Sequence, residues 1–310
     1  MHQKICFSQA LTGFELTANS RGLSKNTIKD YFGTYYKFLD FLEDDKPIED
    51  ITKKDVETFL SIQTVGNKTK LNYHIGLSAL WTWCVEMEIV EKNMIRSIAR
   101  PKAPKKDIIP YTHDDIKALL NACDYSRAYS RPGKKICQNK ILHSHRNKTI
   151  MILMLDTGIR LSELSDLKIA DVELTNQRLV VERGKGDKER VVPFSSRTGK
   201  NIWKYLATRK SDNMKEALFS TKTNRHILPG NIHDFIERAG DRAGVRHAHP
   251  HRFRHTFAIE YLRNGGDIFS LQRILGHSTL DMVKRYLSIA QADIESAHRR
   301  ASPVDNWMLT

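Results

Sequence analysis

The chain has 310 residues, with 50 Lys or Arg against 36 Asp or Glu, a formal charge of +14 and a pI near 9.6. That length suits two domains with a sizeable core, and the basic excess points to an acidic partner, nucleic acid above all, although a soluble surface can be basic for its own sake. No stretch approaches 18 apolar residues and the N-terminus lacks a secretory apolar run, so no membrane partner is expected; the four cysteines, Cys6, Cys84, Cys123 and Cys137, are too sparse for a disulfide scaffold and fit reduced thiols in a cytoplasmic protein.

The charge is uneven along the chain. Residues 1–100 carry 13 basic and 13 acidic residues, residues 101–148 carry 11 and 4, and residues 149–310 carry 26 and 19. Helical periodicity dominates the first hundred. Helices begin near Ser8, so no further DNA-binding domain is expected ahead of them. Ser24 is an N-cap for a run to about Glu43, with Ile28, Tyr31, Phe32, Tyr35, Phe38, Leu39 and Leu42 at helical spacing. Thr52 caps DVETFLSI. A third helix from about Asn67 to Glu88 carries Leu71, Ile75, Leu77, Leu80 and Trp81. The aromatics fit a core better than a base-stacking platform. With zero net charge, this unit must segregate its charges to meet DNA: Lys25, Lys68 and Lys70 towards phosphate, Glu43, Asp44 and Asp45 towards solvent.

Residues 101–110 read as a linker. Pro101, Pro104 and Pro110 disfavour helix, and Lys102, Lys105 and Lys106 could meet phosphates, or simply be solvated. Residues 124–148 form a basic extension, for which DNA contact is the favoured role; zinc held by Cys123, Cys137, His143 and His145 is the lesser alternative, because the cysteine spacing is wrong for common sites. From Asn147, TIMILMLDTG predicts a buried helix ending at Gly158. The next helix carries Arg160 on its first turn. A β-hairpin follows at Arg178–Glu182 and Glu189–Phe194, then helices at Thr198–Arg209, Ile232–Ala243, across His251 and Arg254, and at Ile268–Leu275, and lastly the segment with Tyr286. The tail is amphipathic at first; Ile289, Ile294 and Ala297 leave an apolar edge, and Trp307, Met308 and Leu309 add large apolar groups at the end. Mainly α with a small antiparallel β-sheet is therefore the expected fold class.

Four stretches carry groups suited to a phosphodiester: LDTGIRLSELSDLK with Arg160 and Glu163, LVVERGKGDKERVVPF with Lys185, HPHRFRHTFA with His251 and Arg254, and LGHSTLDMVKRYL with His277 and Tyr286. Arginine offers a rigid fork of donors for phosphate oxygens, and a phenol is a nucleophile if it can lose its proton. His255, four residues after His251, raises the question of a metal pair, but Arg252 stands where a zinc protease carries Glu; His255 more simply supports the fold. No converging carboxylates suit two magnesium ions, so no metal and no cofactor are expected.

In this order the four boxes resemble the tyrosine recombinase (phage integrase, Xer-type) family. The resemblance implies a helical, SAM-like core-binding domain over 1–100, a basic linker over 101–110 and a catalytic domain with a C-terminal tail over 111–310. It implies that Arg160 and Arg254 clamp the non-bridging oxygens and favour the phenolate of Tyr286, that Lys185, rather than the neighbouring Lys188, protonates the leaving 5′-oxygen, that His251 is an acid–base residue, that His277 is a third phosphate ligand, and that Glu163 supports the site, unless it is a plain surface charge. Lys102, Lys105, Lys106, Lys25, Lys68, Lys70 and Arg252 are the expected DNA contacts. The partners implied are double-stranded DNA with inverted-repeat core sites and a homotetramer on two such sites. The implied activity is site-specific recombination through a 3′-phosphotyrosyl link, for a mobile element; Xer-type dimer resolution, type IB topoisomerase action and a DNA-binding protein with a dead active site are the rivals. One unbroken helix from His277 to Tyr286 would hold them about 13–14 Å apart on opposite faces. A break near Ser278 to Asp281, or donation of Tyr286 by a neighbouring subunit, is therefore required.

Overall fold

A computed structural model describes residues 4–104, 107–128, 137–182, 189–209, 213–221, 225–277, 279–290, 298 and 302–308. It separates into two compact units, Met1–Lys106 and Asp107–Thr310. The described residues are mostly helical with one three-stranded antiparallel sheet, as the sequence indicated.

The first unit is built from α1 (Phe7–Ser20), α2 (Lys25–Leu42), α3 (Lys53–Ile62) and α4 (Asn67–Glu86). Ser24 caps α2 by accepting from the Thr27 amide at 3.1 Å. Thr52 and Asp55 form a reciprocal box at the start of α3. The apolar period of α2 turns Tyr35 and Phe38 into a core with Phe7, Phe59 and Trp81, all fully buried. Phe38 meets Phe59 edge-on at 5.1 Å, and the Tyr35 hydroxyl donates to the Gly76 carbonyl at 3.0 Å. The aromatics of the α2 stripe are thus largely committed to packing. Ile75, counted above with the apolar face of α4, is exposed instead. Lys25 and Lys68 are exposed; Lys70 is half-buried and donates to the Ser61 carbonyl at 3.3 Å.

The second unit holds α5 (His113–Asn121), α6 (Ser144–Thr157), α7 (Leu161–Asp166), β1 (Val172–Glu173), β2 (Arg178–Val181), β3 (Arg190–Pro193), α8 (Ser196–Thr208), α9 (Pro229–Ala243), α10 (Pro250–Arg263), α11 (Ile268–Leu275), α12 (Asp281–Ala290) and α13 (Pro303–Asn306). The strands run in the order β1-β2-β3, with Val172 opposite Leu179 and Val180 opposite Val191. The two-residue β1 carries no apolar alternation and went unforeseen. α6 is the buried spine, with Ile150, Met151, Leu153 and Met154 in the core. Of the proposed zinc ligands, Cys123 is buried with its thiol 3.9 Å from the Met151 sulfur and Cys137 is exposed, and these residues do not gather into a ligand cluster among the described residues. In the basic extension, Tyr125 bridges to Lys140, and Asp124 takes bonds from Ser144 and Lys148, each at 2.6 Å. Among the described residues no helix is long and apolar enough to cross a membrane.

Candidate active site

Two glycine turns set the scene. α6 ends at Gly158 (φ +60°) and α11 ends at Gly276 (φ +63°), both in the left-handed region that favours glycine. A Cβ on Gly158 would come within 2.4 Å of Phe257, so both the turn and the close packing of α10 require glycine there. α11 ends at Gly276 and α12 begins only at Asp281, with Thr279 and Leu280 outside either helix, so the break expected between His277 and Tyr286 lies just ahead of Asp281. Tyr286 then packs beside α10 of its own chain.

Three arginines converge on the carbonyl end of α11. Arg190 Nε donates to the Ile274 carbonyl at 3.0 Å, Arg254 Nη2 to Leu275 at 2.8 Å, and Arg160 Nη2 to Gly276 at 2.7 Å. A helix C-terminus carries unpaired carbonyls and a partial negative charge, so it holds cations well. Arg254 also donates to the Gly158 carbonyl at 2.6 Å. Burial, then the charge of Arg160, lowers its pKa to about 10, so it stays charged at neutral pH. Arg160 lies just before α7, as its N-cap in extended conformation rather than on its first turn, and its side chain is about a third exposed (36%).

Glu163 ties the arginines together. It receives a two-pronged bond from Arg190, both arms 2.7 Å, and bonds of 2.9 Å from the Arg160 side chain and amide. Burial alone would raise this carboxyl. The bonds and charge of Arg190, helped by Arg160, overcome that and bring it down to about 2. The surface-charge alternative for Glu163 is thereby excluded: its side chain is 11% exposed.

His277 accepts from Arg254 Nη2 through Nε2 at 2.8 Å, since guanidinium can only donate. Its proton is therefore on Nδ1, which is buried and has no hydrogen-bond partner among the described residues. Burial, Arg254 and Arg160 lower this ring to about 4, so it is neutral at pH 7. His251 is exposed; partial loss of water, then Arg254 and His233, lower its pKa. Tyr286 is buried (5% exposed), and its hydroxyl lies 2.9 Å from Nδ1 of His255. Here the expectation of a favoured phenolate is reversed: burial raises the phenol's pKa, and Arg254 and Arg285 only partly offset it.

Arg160, Glu163, Arg254, His277 and Tyr286 are thus brought together, with His251 on the same helix as Arg254. Arg252, expected among the DNA contacts, is a strut instead. Its guanidinium stacks 4.1 Å over the Tyr111 ring and donates to the carbonyls of Ile109, Pro110 and Arg246, which leaves little of it for phosphate. Lys102 is exposed. Lys105, Lys106, Lys185 and Lys188 lie outside the described residues. Two members of the site escaped the sequence reading, Arg190 and His255. Arg190 shares strand parity with the buried Val192, while Val191 points outward at 52% exposure; that parity was the available signal.

Residues 111–293 match the Phage integrase family, and residues 11–91 match the Phage integrase, N-terminal SAM-like domain. The chain is 28% identical to tyrosine recombinase XerA of Pyrococcus horikoshii over 305 residues, covering 98% of this chain and 97% of that one. Among solved structures it is similar to the Tn1549 transposon integrase bound to transposon right-end DNA (TM-score 0.74, 18% identity, 94% of this chain and 99% of that one). It is also similar to a lambda integrase tetramer bound to a Holliday junction (TM-score 0.73, 19% identity, 92% and 78%). At those identities the two structures speak for the fold alone. The family match covers more than half of the chain and includes every residue of the arginine cluster and its phenol, and the chain therefore belongs to the phage integrase family, the tyrosine recombinases.

Proposed function

We propose that this recombinase cuts and rejoins double-stranded DNA at inverted-repeat core sites through a 3′-phosphotyrosyl link to Tyr286. The observation that carries the reading is one phenol buried within electrostatic reach of Arg254, beside a cluster of Arg160, Arg254 and His277 whose remaining donors suit phosphate oxygens. Arg160 and Arg254 hold the two non-bridging oxygens, each contributing about 3 kcal/mol to the transition state by analogy with oxyanion donors. The unpartnered Nδ1–H of His277 is a third donor. Glu163 and Arg190 hold Arg160 in place. His251 acts as an acid–base residue at the phosphate, and Lys185 protonates the leaving 5′-oxygen. Lys102, Lys105, Lys106, Lys25, Lys68 and Lys70 meet DNA phosphates. The energy of the broken bond is kept in the protein–DNA link, so a 5′-hydroxyl of a partner strand reverses the step without ATP, and the work is done in the cytoplasm.

The test is covalent capture. A nicked duplex that loses its 5′-hydroxyl fragment after cleavage should accumulate protein–DNA adduct, with undiminished yield in excess EDTA. The sole carboxylate of the described cluster, Glu163, is already held by two arginines, which leaves the transition-state charge to guanidinium and imidazole donors. Loss of cleavage in EDTA, restored by magnesium or zinc, would overturn the metal-free reading.

Four copies acting on two sites is the assembly we favour. On their own chain Trp307 and Met308 stand 72% and 86% exposed, and large apolar groups so placed suit a partner surface. Deleting residues 291–310 should leave binding to a half-site nearly intact and abolish cooperative assembly on two full sites, both read by gel-shift titration. Unchanged cooperativity with full recombination would rule out this role for the tail. The biological task we favour is integration of a mobile element, for which the basic extension at 124–148 is the motive. Similarity to XerA over nearly the full length of both chains favours a second reading, resolution of chromosome dimers. Recombination between two plasmids, as against relaxation of one, separates both from topoisomerase action.

A further inference from the structure

The hydroxyl of Tyr286 has one described hydrogen-bond partner, and it is not an arginine. It is Nδ1 of His255, at 2.9 Å, with the two rings 5.7 Å apart and inclined at 49°. The pair sits where α10 packs on α12, with Tyr286 buried and His255 half-buried. We propose that His255 is the base that takes the proton of Tyr286 as its oxygen attacks the DNA phosphate. The proposal rests on the reading of Tyr286 as the nucleophile.

The other nitrogen bases of the site are placed for other work. His277 has its Nε2 lone pair committed to Arg254, and His251 is exposed and makes no hydrogen bond to the phenol among the described residues. The phenol cannot ionise on its own at neutral pH, because burial holds its proton on, so attack needs an acceptor within hydrogen-bond reach. His255 has the protonation state for that role. Burial lowers it to about 4, followed by His251 and His249 on its own helix and cap, Arg254 beside it, and Arg285 on α12. At neutral pH the ring is therefore uncharged, and with its proton on Nε2 it offers the Nδ1 lone pair to the hydroxyl.

The same cations make the base substrate-dependent. In the empty site they oppose an imidazolium, and His255 is too weak to draw the proton away. A phosphodiester seated on Arg160 and Arg254 brings a negative charge that offsets them, so His255 strengthens as a base only when DNA is in place. Tyr286 is thus unreactive until its substrate arrives. The step balances: the Tyr286 oxygen–phosphorus bond forms and the phosphorus–5′-oxygen bond breaks. The phenol's proton moves to Nδ1 of His255, and the departing 5′-oxygen takes a proton from the acid, assigned above to Lys185. Rejoining runs the same transfers backwards.

The experiment compares wild type, His255→Ala and His255→Asn in single-turnover cleavage of the nicked duplex from pH 5.5 to 9.5, with half-site binding measured beside it. Both variants should bind the half-site as wild type does and cleave about a hundredfold more slowly at pH 7. Their rates should rise tenfold per pH unit into the alkaline range, where wild type has levelled off. Asparagine can hold the hydroxyl but cannot take its proton, so cleavage by His255→Asn at the wild-type rate with the wild-type profile would overturn the proposal. Tyr286→Phe runs in parallel: adduct from that variant would remove the nucleophile reading itself, whatever His255 does. Should His255→Ala lose half-site binding, full-length protein with a more acidic fluorinated tyrosine at position 286 decides. With His255 as the base, the acid limb of the profile stays where it was; an acid limb that moves down with the phenol means that Tyr286 ionises without His255, and the proposal falls.

Discussion

Tyr286→Phe should bind its DNA site as tightly as the parent chain and form no covalent adduct at all. The substitution keeps the ring that packs with Phe257, Leu262 and Leu271 against α10 and α11. It removes one hydrogen bond, to His255, which costs about 1 kcal/mol, enough to leave α12 folded. What it removes from the chemistry is the only atom that can bond to phosphorus in this reading. On the same proposal Arg160, Arg254 and His277 still hold the phosphate, so the prediction is a clean separation of binding from cleavage. Gel shift reports the first and a denaturing gel with labelled, nicked duplex reports the second. Adduct at the parental yield would take the nucleophile's role away from Tyr286.

Much of the fold and of the candidate site was legible in the sequence because side-chain identity carries most of it. Ser24 and Thr52 announced their helices through their own oxygens, and the run of Ile268 to Leu275 was bounded by a capping aspartate and a closing glycine. Arg160, Arg254, His277 and Tyr286 stood in boxes whose order pointed to one chemistry. What stayed hidden depends on backbone and on neighbours distant in the chain. The carbonyls of Ile274, Leu275 and Gly276 that gather three arginines have no sequence signature. Arg190 is an arginine at a strand end, which ordinarily faces water; its burial follows from a carboxylate 27 residues earlier. The phenol's pKa went the wrong way because counting arginines ignores desolvation, and desolvation won. His255 looked like half of a metal pair or a fold residue because its partner lies 31 residues on, across a turn.

Glu163→Gln is expected to have the largest effect of any single change that touches no reacting atom. The carboxylate neutralises two arginines, and Arg190 is even more buried than it is, at 8% against 11% exposure of the side chain. Removing one charge from such a cluster strands the others without compensation, which costs about 3–5 kcal/mol. For a unit of this size that is on the order of a 10 °C fall in melting temperature. The pH dependence carries a sign. The carboxyl sits at about 2 in the folded chain against an ordinary 4.5, so its contribution is complete above the ordinary value and drains away as pH falls from about 4.5 through 2. That shift corresponds to about 3 kcal/mol. The parent chain should therefore lose stability steeply across this acid window, while Glu163→Gln, already lacking the ion pair at pH 7, should show a shallower slope there. Cleavage should slow as well, because Arg160 loses the partner that fixes its guanidinium beside Gly276. Urea melts of the full chain at pH 7, 4.5 and 2.5 measure the stability terms, and adduct formation measures the positioning. A variant as stable as the parent at pH 7, with the parent's acid slope, would mean that the arginines are held by the α11 carbonyls alone and that Glu163 does not organise the site.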